Sequence, residues 1–400
     1  HHRHVRADLP GVGMSMDLQR IDLDTIQPNG KRGETQRPAF TKINQNFQDV
    51  ALALEGIPGA IADSVSGKNR LINGNFDFWQ RGDNFTAAAA YCADRFFAQQ
   101  GGMDGAGIFK SPVAPGDANF PKSLFTLAAN CNGNHNAAGH HFLFEQRVES
   151  VRTFAASEST LSFLVYNAGT AGRKIAVEFL QRFGTGGSPT VTGIQPEVFT
   201  LAQGLNRISK TVSLPSIYGK TLGSGDDSVI CAVWLSAGSD FNARTGGLGA
   251  QAGQLYFGEM QWEAGARATR FEWRSPAHEL ALCQRYYQKT FPVTEVPNSR
   301  SSSAVHRNAV AFNSGTCRVV AEFKGTMRST PQLQFHAGGE GGDIGSPSFW
   351  RYYDAAGGTW RAGTLTNVVM ATSQAFMADV GGAGFLVSGS VLLAGHYTAD

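Results

Sequence analysis

Aromatic and planar charged side chains are concentrated near the C-terminus, in residues 349–361. Sugar recognition uses flat apolar faces for the C–H side of a pyranose ring and planar groups for pairs of hydroxyls, and Trp, Tyr, Arg and Asp supply both. The chemistry predicted for this stretch is therefore non-covalent glycan binding. The candidate ligand residues, with one histidine upstream of the stretch, are Trp350, Arg351, Tyr352, Tyr353, Asp354, Trp360, Arg361 and His336.

Strand alternation divides this candidate set into two halves. In a β-strand, Trp350 and Tyr352 face one side of the sheet, whereas their immediate neighbours face the other. Half of the set is therefore equally consistent with a packed core. If the aromatic residues are core, the receptor surface is predicted to lie on loops near Arg81 and Arg95 instead.

Catalytic motifs are absent from the sequence. It contains neither His-Glu-x-x-His nor Gly-x-Ser-x-Gly. The adjacent acids Asp226 and Asp227 form a poor general acid/base pair, because neighbouring residues on an extended chain point to opposite sides. The sequence therefore predicts a protein that is not an enzyme.

A structural calcium ion has three candidate side-chain ligands, Asn75, Asp77 and Glu259. Calcium prefers oxygen ligands, and backbone carbonyls supply many of them. The sequence does not reveal where those carbonyls lie. No cofactor is therefore predicted, and these three residues remain weak candidates for a calcium site.

Composition favours many short strands joined by tight turns. Charged residues make up 16% of the chain and there are 48 glycines, against averages of about 25% charged residues and about 7% glycine. The net charge of +2, without a block of Lys or Arg, gives no electrostatic case for nucleic acid or membrane binding. The five widely spaced cysteines are interpreted as buried thiols from a reducing compartment. The longest apolar run is too short for a membrane span.

Residues 71–274 have the pattern of one β-sandwich. Runs rich in β-branched and aromatic residues recur between turn residues, with no long helical period among them, which predicts an all-β jelly roll. Residues 71–82 are interpreted as the opening of this domain, and residues 258–265 as its closing strand. The clearest strand candidates are Leu161–Tyr166, Lys174–Phe183, Leu205–Leu214 and Val229–Leu235.

Residues 275–290 are predicted to form a connecting helix. Ser275 can cap it, and Pro276 suits its first turn. Residues 291–400 again alternate between apolar and polar side chains. They predict a second, smaller β-module that forms the C-terminal tip.

The N-terminal region carries a different pattern. Residues 1–13 look like an expression-tag remnant, and residues 14–70 form a separate segment. Apolar residues recur there at spacings of three and four, which is an a/d heptad seam. A helix of about 17 residues is marginal alone in water, so the seam predicts association with copies of itself; the alternative is packing on its own sandwich. The seam residues are Phe40, Ile43, Phe47, Val50, Leu54 and Ile57.

The segments Leu71–Gly82 and Gly258–Gly265, with Arg270–Pro276 and Glu279–Lys289 following, resemble the distal part of bacteriophage and prophage tail fibres. Residues 33–47 also look like the opening of many tail-fibre proteins. The resemblance implies a homotrimeric virion protein, assembled in the host cytoplasm and joined to other tail or baseplate proteins through its N-terminus. It further implies that the tip binds a host-cell surface glycan or lipopolysaccharide.

Two other functions remain open. A tailspike depolymerase, which degrades polysaccharide, should show the repeated coils of a β-helix and an embedded acid pair, and the sequence shows neither. A stand-alone carbohydrate-binding or structural module would have no attachment role. The heptad seam and the tip argue against that third function.

Overall fold

The structure of the chain is a computed structural model. It describes residues 5–8, 15–18, 25–32, 38–47, 66–131, 137–297, 306–313, 315–337, 349–354, 358–381 and 389–400. The chain divides into two compact units, residues 1–68 and 69–400. Strands account for most of the regular structure, which confirms the predicted all-β class. No helix in the described ranges is both long enough and apolar enough to cross a membrane.

The first unit contains a short hairpin and one helix. Strand β1 (Val5–Asp8) pairs with β2 (Ser15–Leu18), so part of the predicted tag remnant is paired backbone. Helix α1 spans residues 38–47 and leaves Phe40 and Phe47 about two-thirds exposed, at 61% and 70%. Ile43 is half-buried. The remaining seam residues, Val50, Leu54 and Ile57, lie outside the described residues, so the trimeric coiled coil stays a prediction.

Exposure of the two seam phenylalanines motivates a test of the oligomeric state. Light scattering of the whole chain should give a mass of about three protomers. Phe47→Asp should reduce that mass, because a charge in the apolar seam would have to be buried without a partner. Gln45→Asp places the same charge on an exposed position away from the seam and should leave the mass unchanged. A monomeric parent at micromolar concentration would contradict the prediction.

The second unit begins with a sandwich of two six-stranded antiparallel sheets. In spatial order, the first sheet contains β11 (Val191–Thr200), β10 (Lys174–Arg182), β13 (Ser228–Ala237), β8 (His141–Glu149), β5 (Phe96–Gly101) and β4 (Ala89–Tyr91). The second contains β12 (Gly204–Ser213), β9 (Glu158–Asn167), β14 (Gly253–Ala264), β7 (Phe125–Cys131), β6 (Gly107–Pro112) and β3 (Asn84–Phe85). The chain crosses repeatedly between the sheets, as expected for a jelly roll.

Large aromatic side chains fill the space between the two sheets. Phe144 meets Phe257 edge-on at 4.9 Å, and Phe179 lies 5.1 Å from Trp262. The opening segment lies beside the closing strand, because the backbone N–H of Met260 donates to the carbonyl of Gly74 at 2.7 Å. One core therefore joins residues that are about 190 positions apart in the sequence.

The outer face of the first sheet is covered. Trp234 on β13 points outward, packs on Phe241 at 5.2 Å and is fully buried. The cover consists of a 3₁₀ turn (Ser239–Phe241) and the short helix α2 (Asn242–Thr245). This explains why every residue of β13 is buried. The outer face of the second sheet has no such helical cover among the described residues, but the ring of Phe120 lies over Gly258 on this face.

Helix α3 (Pro276–Gln284) follows the sandwich. The hydroxyl of Ser275 accepts a hydrogen bond from the backbone N–H of His278 at 3.4 Å, so the predicted cap is confirmed. The helix is shorter than the predicted 275–290. The N–H of Tyr286 turns back to the carbonyl of Cys283, a tight bond typical of a helix end.

The C-terminal strands close into a barrel. Six strands form the ring, because β22 pairs with β16 on one side and with β19 on the other. Closure leaves few free sheet edges, and edges are the sites at which strands aggregate. The strands are β15 (Gln288–Lys289), β16 (His306–Asn313), β17 (Thr316–Glu322), β18 (Leu333–Ala337), β19 (Phe349–Asp354), β20 (Thr359–Ala371), β21 (Ala375–Gly381) and β22 (Gly389–Ala399).

All five cysteines are buried free thiols. Burial raises the pKa of Cys92, Cys231 and Cys317 to about 12 each. These side chains are therefore protonated and unreactive at neutral pH. They act as small apolar core residues.

Candidate functional site

The structure corrects the predicted tip surface at its two largest central aromatics. Trp350 and Tyr352 are 0% and 2% exposed and lie in the barrel core with Phe376 and Tyr397. Alternation along β19 sends both side chains inward, as the strand period requires. These two residues are therefore unavailable to a ligand.

Two polar members of the set are also buried. His336 is 5% exposed and meets the ring of Phe291 at 5.3 Å, and burial lowers its pKa. Arg351 is 6% exposed. Burial therefore leaves neither side chain accessible to a ligand.

The exposed remainder of the tip is small. Tyr353 is 40% exposed and pairs across the hairpin with Trp360, the two rings lying 5.4 Å apart. Arg361 is exposed, but it is paired in register with Tyr352 and so belongs to the opposite face of the hairpin from this tip pair. The backbone of Asp354 pairs with Thr359, but its side chain lies outside the described residues. A two-ring surface therefore remains from the predicted cluster.

A second group of aromatic residues lies on the outer face of the second sheet of the sandwich. Strand register aligns one outward-facing residue from each of five neighbouring strands, and directly opposed residues of antiparallel strands share a face. We call these residues the aromatic row. In spatial order they are Phe109, Ala128, Tyr256, Tyr166 and Leu205.

The geometry of the aromatic row suits a flat, elongated ligand. The rings of Tyr256 and Tyr166 lie 6.3 Å apart, and both residues are half-exposed. Phe109 lies two strands from Tyr256, at roughly 10 Å given the usual strand spacing of about 4.8 Å. Ala128 separates them as a low floor, because its side chain is a single methyl group. Leu205, 41% exposed, ends the row.

Alternation accounts for the outward direction of these side chains. Leu255 and Phe257 flank Tyr256 on β14, and both are buried in the sandwich core. Phe163 and Val165 belong to the same core on β9. A strand cannot turn neighbouring residues to one face, so the tyrosines between and beside these core residues must face outward.

Charged groups lie along one side of the aromatic row. Glu259 follows the row on β14 at an irregularity in the register, with a left-handed backbone φ of +49°. Burial raises its pKa, while Lys122 and Arg207 act in the opposite direction. A non-glycine residue in this backbone region carries strain, which is commonly found at binding sites. Arg207 is exposed and faces outward opposite Leu164.

Two of the three calcium candidates, Asn75 and Asp77, are in direct contact. The two carboxylate oxygens of Asp77 accept hydrogen bonds from the backbone N–H of Leu124 at 2.8 Å and from the amide of Asn75 at 2.9 Å. The amide oxygen of Asn75 accepts from Ser123 at 2.7 Å. Each of these oxygens thus accepts one hydrogen bond from the protein, and the calcium site stays a prediction. Across the described ranges, no three His, Cys, Asp or Glu side chains converge as a metal site.

A cleft between the sandwich and the barrel brings together the region predicted around Arg81 and Arg95. The cleft encloses about 180 Å³, and both arginines line it. Arg81 pairs with Asp400 at 2.5 Å and lies over the ring of Tyr287 at 3.8 Å. The C-terminal residue of the described barrel is thereby fixed to the sandwich.

Glu149 lines a neighbouring hollow and accepts hydrogen bonds from residues of this cleft. Its carboxylate receives two hydrogen bonds from Arg285, at 3.0 and 3.1 Å, and one from the hydroxyl of Tyr286 at 2.6 Å. Arg328 lies 3.6 Å away. Burial raises the pKa of Glu149, but these hydrogen bonds and cations outweigh it and leave the pKa below its ordinary value. Glu149 is therefore ionised at neutral pH and holds the two modules together.

Sequence reasoning missed the aromatic row. Tyr166 ends a segment that the sequence predicts as a strand, and Tyr256 lies between two apolar residues of β14. Alternation alone could have marked both as outward-facing. Their pairing depends on the register between β9 and β14, which are about 90 residues apart, so the sequence did not show that they form one surface.

No protein-family profile matches the chain, and no curated protein matches it. Among solved structures, the enzymatically active domain of tailspike protein 4 of bacteriophage CBA120 is similar over 50% of this chain and 22% of its own length, with 12% identity and a TM-score of 0.30. The chain thus spans about a fifth of that domain.

Several other similar structures are carbohydrate-binding modules. TmCBM61, solved with β-1,4-galactotriose, aligns over 50% of this chain and 100% of its own length, with 11% identity and a TM-score of 0.28. The N-terminal cellulose-binding domain of Cellulomonas fimi β-1,4-glucanase C aligns over 46% and 99%, with 14% identity and a TM-score of 0.27. Likeness at this level says nothing about the ligand or the activity of this chain.

Proposed function

We propose that the chain is a non-catalytic glycan-binding protein that uses the aromatic row to hold a polysaccharide. The observation that carries this proposal is the alignment of Phe109, Tyr256 and Tyr166 on one sheet face, where all three side chains are partly exposed. Pyranose rings present C–H faces that pack on aromatic rings, and stacking of this kind needs no deep pocket. A row that crosses the strands matches a chain of sugar units better than a single sugar.

Polar groups beside the row supply hydroxyl contacts. Arg207 and Gln254 are exposed, and both project from strands that carry the row. A guanidinium donates paired hydrogen bonds, and an amide both donates and accepts them. The aromatic residues would thus provide contact area, and these side chains would select among hydroxyl patterns.

The biological role that we propose is attachment of a phage tail fibre to its host cell. The support is the resemblance of residues 71–82 and 258–289 to distal tail-fibre segments, together with the exposed phenylalanines of α1 that suit association with other chains. The ligand would be a glycan or lipopolysaccharide of the host surface. Three copies on one fibre would add avidity to a weak single site.

Removal of the central aromatic ring should weaken glycan binding. The ligand is found by screening the whole chain on an array of bacterial O-antigens and capsular polysaccharides, and the affinity of the strongest binder is then measured by calorimetry. Tyr256→Ala should reduce that affinity at least about fivefold, since buried aromatic anchors contribute more than about 1 kcal/mol each. Tyr218→Ala is the matched control, because Tyr218 is 95% exposed and lies away from the row. Equal affinity of Tyr256→Ala and the parent would overturn the proposal.

Incubation with the same polysaccharide separates binding from degradation. A retaining or inverting glycosidase uses two carboxyl groups, and the outward-facing residues named around the row include one, Glu259. We therefore expect no new reducing ends after prolonged incubation. New reducing ends that disappear in Glu259→Gln would identify a depolymerase instead.

A further inference from the structure

A second surface of the sandwich carries an arginine that lacks an acidic partner. Arg95 precedes β5, is 6% exposed and has a left-handed φ of +76°. It lies where the inter-module cleft meets a neighbouring hollow of about 200 Å³. The charge balance of this region points to a ligand.

The other arginines that line the cleft are all paired with carboxylates. The cleft is lined by Arg81, Arg95, Arg147, Arg182, Arg285 and Arg328. The ion pairs are Arg81 with Asp94 and Asp400, Arg147 with Glu145, Arg182 with Asp226, and Arg285 and Arg328 with Glu149. Arg95 is thus the lining arginine that has no carboxylate partner among the described residues.

The contacts of Arg95 do not compensate its charge. Its guanidinium lies 3.3 Å from the centre of the Tyr286 ring, and Nη2 donates to the carbonyl of Arg147 at 2.5 Å. The Nε atom is buried without a hydrogen-bond partner among the described residues. Burial lowers the pKa of Arg95, and the nearby Arg328 lowers it further. A buried charge without a partner is costly, so the fold retains this side chain at a cost in stability.

A second unpaired cation borders the same hollow. Arg70 lines it together with Arg95 and Arg147 and makes no ion pair with any described residue. The one carboxylate in the lining, Glu149, is already bound by Arg285 and Tyr286 from beyond the sandwich. Two positive charges therefore face this hollow without neutralisation by the protein.

We infer that the hollow between Arg70 and Arg95 binds an oxyanion, the phosphate or carboxylate group of an acidic ligand. Planar guanidinium groups bind such oxyanions with two parallel hydrogen bonds. A hollow of about 200 Å³ is below the 300–1,000 Å³ or so of typical small-molecule sites, so it suits one charged group rather than a whole oligosaccharide. The group can belong to a free anion or to an acidic polysaccharide.

Calorimetry on the whole chain tests this site with three probes: inorganic phosphate, glucuronate and a phosphate-bearing lipopolysaccharide, all at constant ionic strength. Saturable binding of phosphate or glucuronate is expected. Arg95→Gln should weaken it at least about tenfold and Arg70→Gln several-fold, since each removes a charge-assisted pair. Arg267→Gln, an exposed position outside the hollow, should bind like the parent. Should Arg95→Gln fail to fold, Arg70→Gln at an exposed side chain carries the test.

The source of the anion follows from competition. If inorganic phosphate displaces the lipopolysaccharide from the parent, a group of the polymer occupies the hollow; if phosphate binds without displacing it, the ligand is a free anion. Absence of saturable binding by all three probes, or parental affinity in both Arg70→Gln and Arg95→Gln, would overturn the inference. Tyr256→Ala should keep its anion binding, so failure of the aromatic row as a glycan site and failure of this site are separate results.

Discussion

Glu178→Ala should destabilise the sandwich by about 3–5 kcal/mol, the cost of leaving a buried ion pair without one partner. The Glu178 side chain is 0% exposed, and its two oxygens accept four hydrogen bonds. They come from Arg244 at 2.8 and 2.9 Å, from the Trp234 indole at 2.9 Å and from the Gly193 N–H at 2.7 Å. Alanine would leave these donors without the acceptor. The measurement is the free energy of unfolding in urea, followed by tryptophan fluorescence.

An exposed ion pair of the same sandwich, between β11 and β12, gives the matched control. Glu197 accepts from Lys210 at 2.7 Å, but its side chain is 47% exposed. Exposed pairs contribute about 1 kcal/mol or less, so Glu197→Ala should unfold close to the parent. If both alanine variants lose the same small amount, the Glu178 cluster does not anchor the cover over β13.

The sandwich could be predicted from the sequence because its signals are local. Alternation, turn residues and the apolar residues at each end of the domain fix strands and inward faces without knowledge of their partners. The same alternation predicted that Trp350 and Tyr352 face one side of their strand and their neighbours the other. The structure places both residues in the barrel core. The N-terminal cap of α3 at Ser275 could also be predicted from neighbouring residues, whereas the position at which α3 ends could not.

Contacts between distant segments could not be predicted in this way. The Tyr256–Tyr166 pair depends on strand register, since a shift of one residue would turn a tyrosine into the core. Arg95 and Tyr286 meet across about 190 residues, because the segment after α3 lies against the sandwich. The sequence predicted a site on loops near Arg95. Only the structure shows that the arginines around Arg95 form ion pairs with carboxylates and that Arg95 has no carboxylate partner among the described residues.

Trp350→Ala should destabilise the barrel by about 3–5 kcal/mol, the usual cost of removing a buried tryptophan. The side chain is fully buried and packs on Phe335, with ring centres 5.9 Å apart. Its indole N–H has no hydrogen-bond partner among the described residues. Trp350→Phe should therefore destabilise the barrel much less than Trp350→Ala. Phenylalanine keeps an aromatic ring in the core, and the loss of the indole N–H breaks no hydrogen bond. The melting temperatures of the three proteins measure this order.

Trp360→Ala completes the test, because it changes the same type of residue on the outer side of the hairpin. Its ring is half-buried against Tyr353, so the melting temperature should stay close to that of the parent. If the tip pair is the receptor surface, this folded variant should bind host cells more weakly by about 1–3 kcal/mol, the range for an aromatic anchor. Avidity in a trimer can hide that loss, so a monomeric form must be compared as well. If both forms of Trp360→Ala bind like the parent while Tyr256→Ala binds more weakly, the receptor contact lies on the sandwich. If Trp350→Ala melts like the parent, the assignment of Trp350 to the core is wrong.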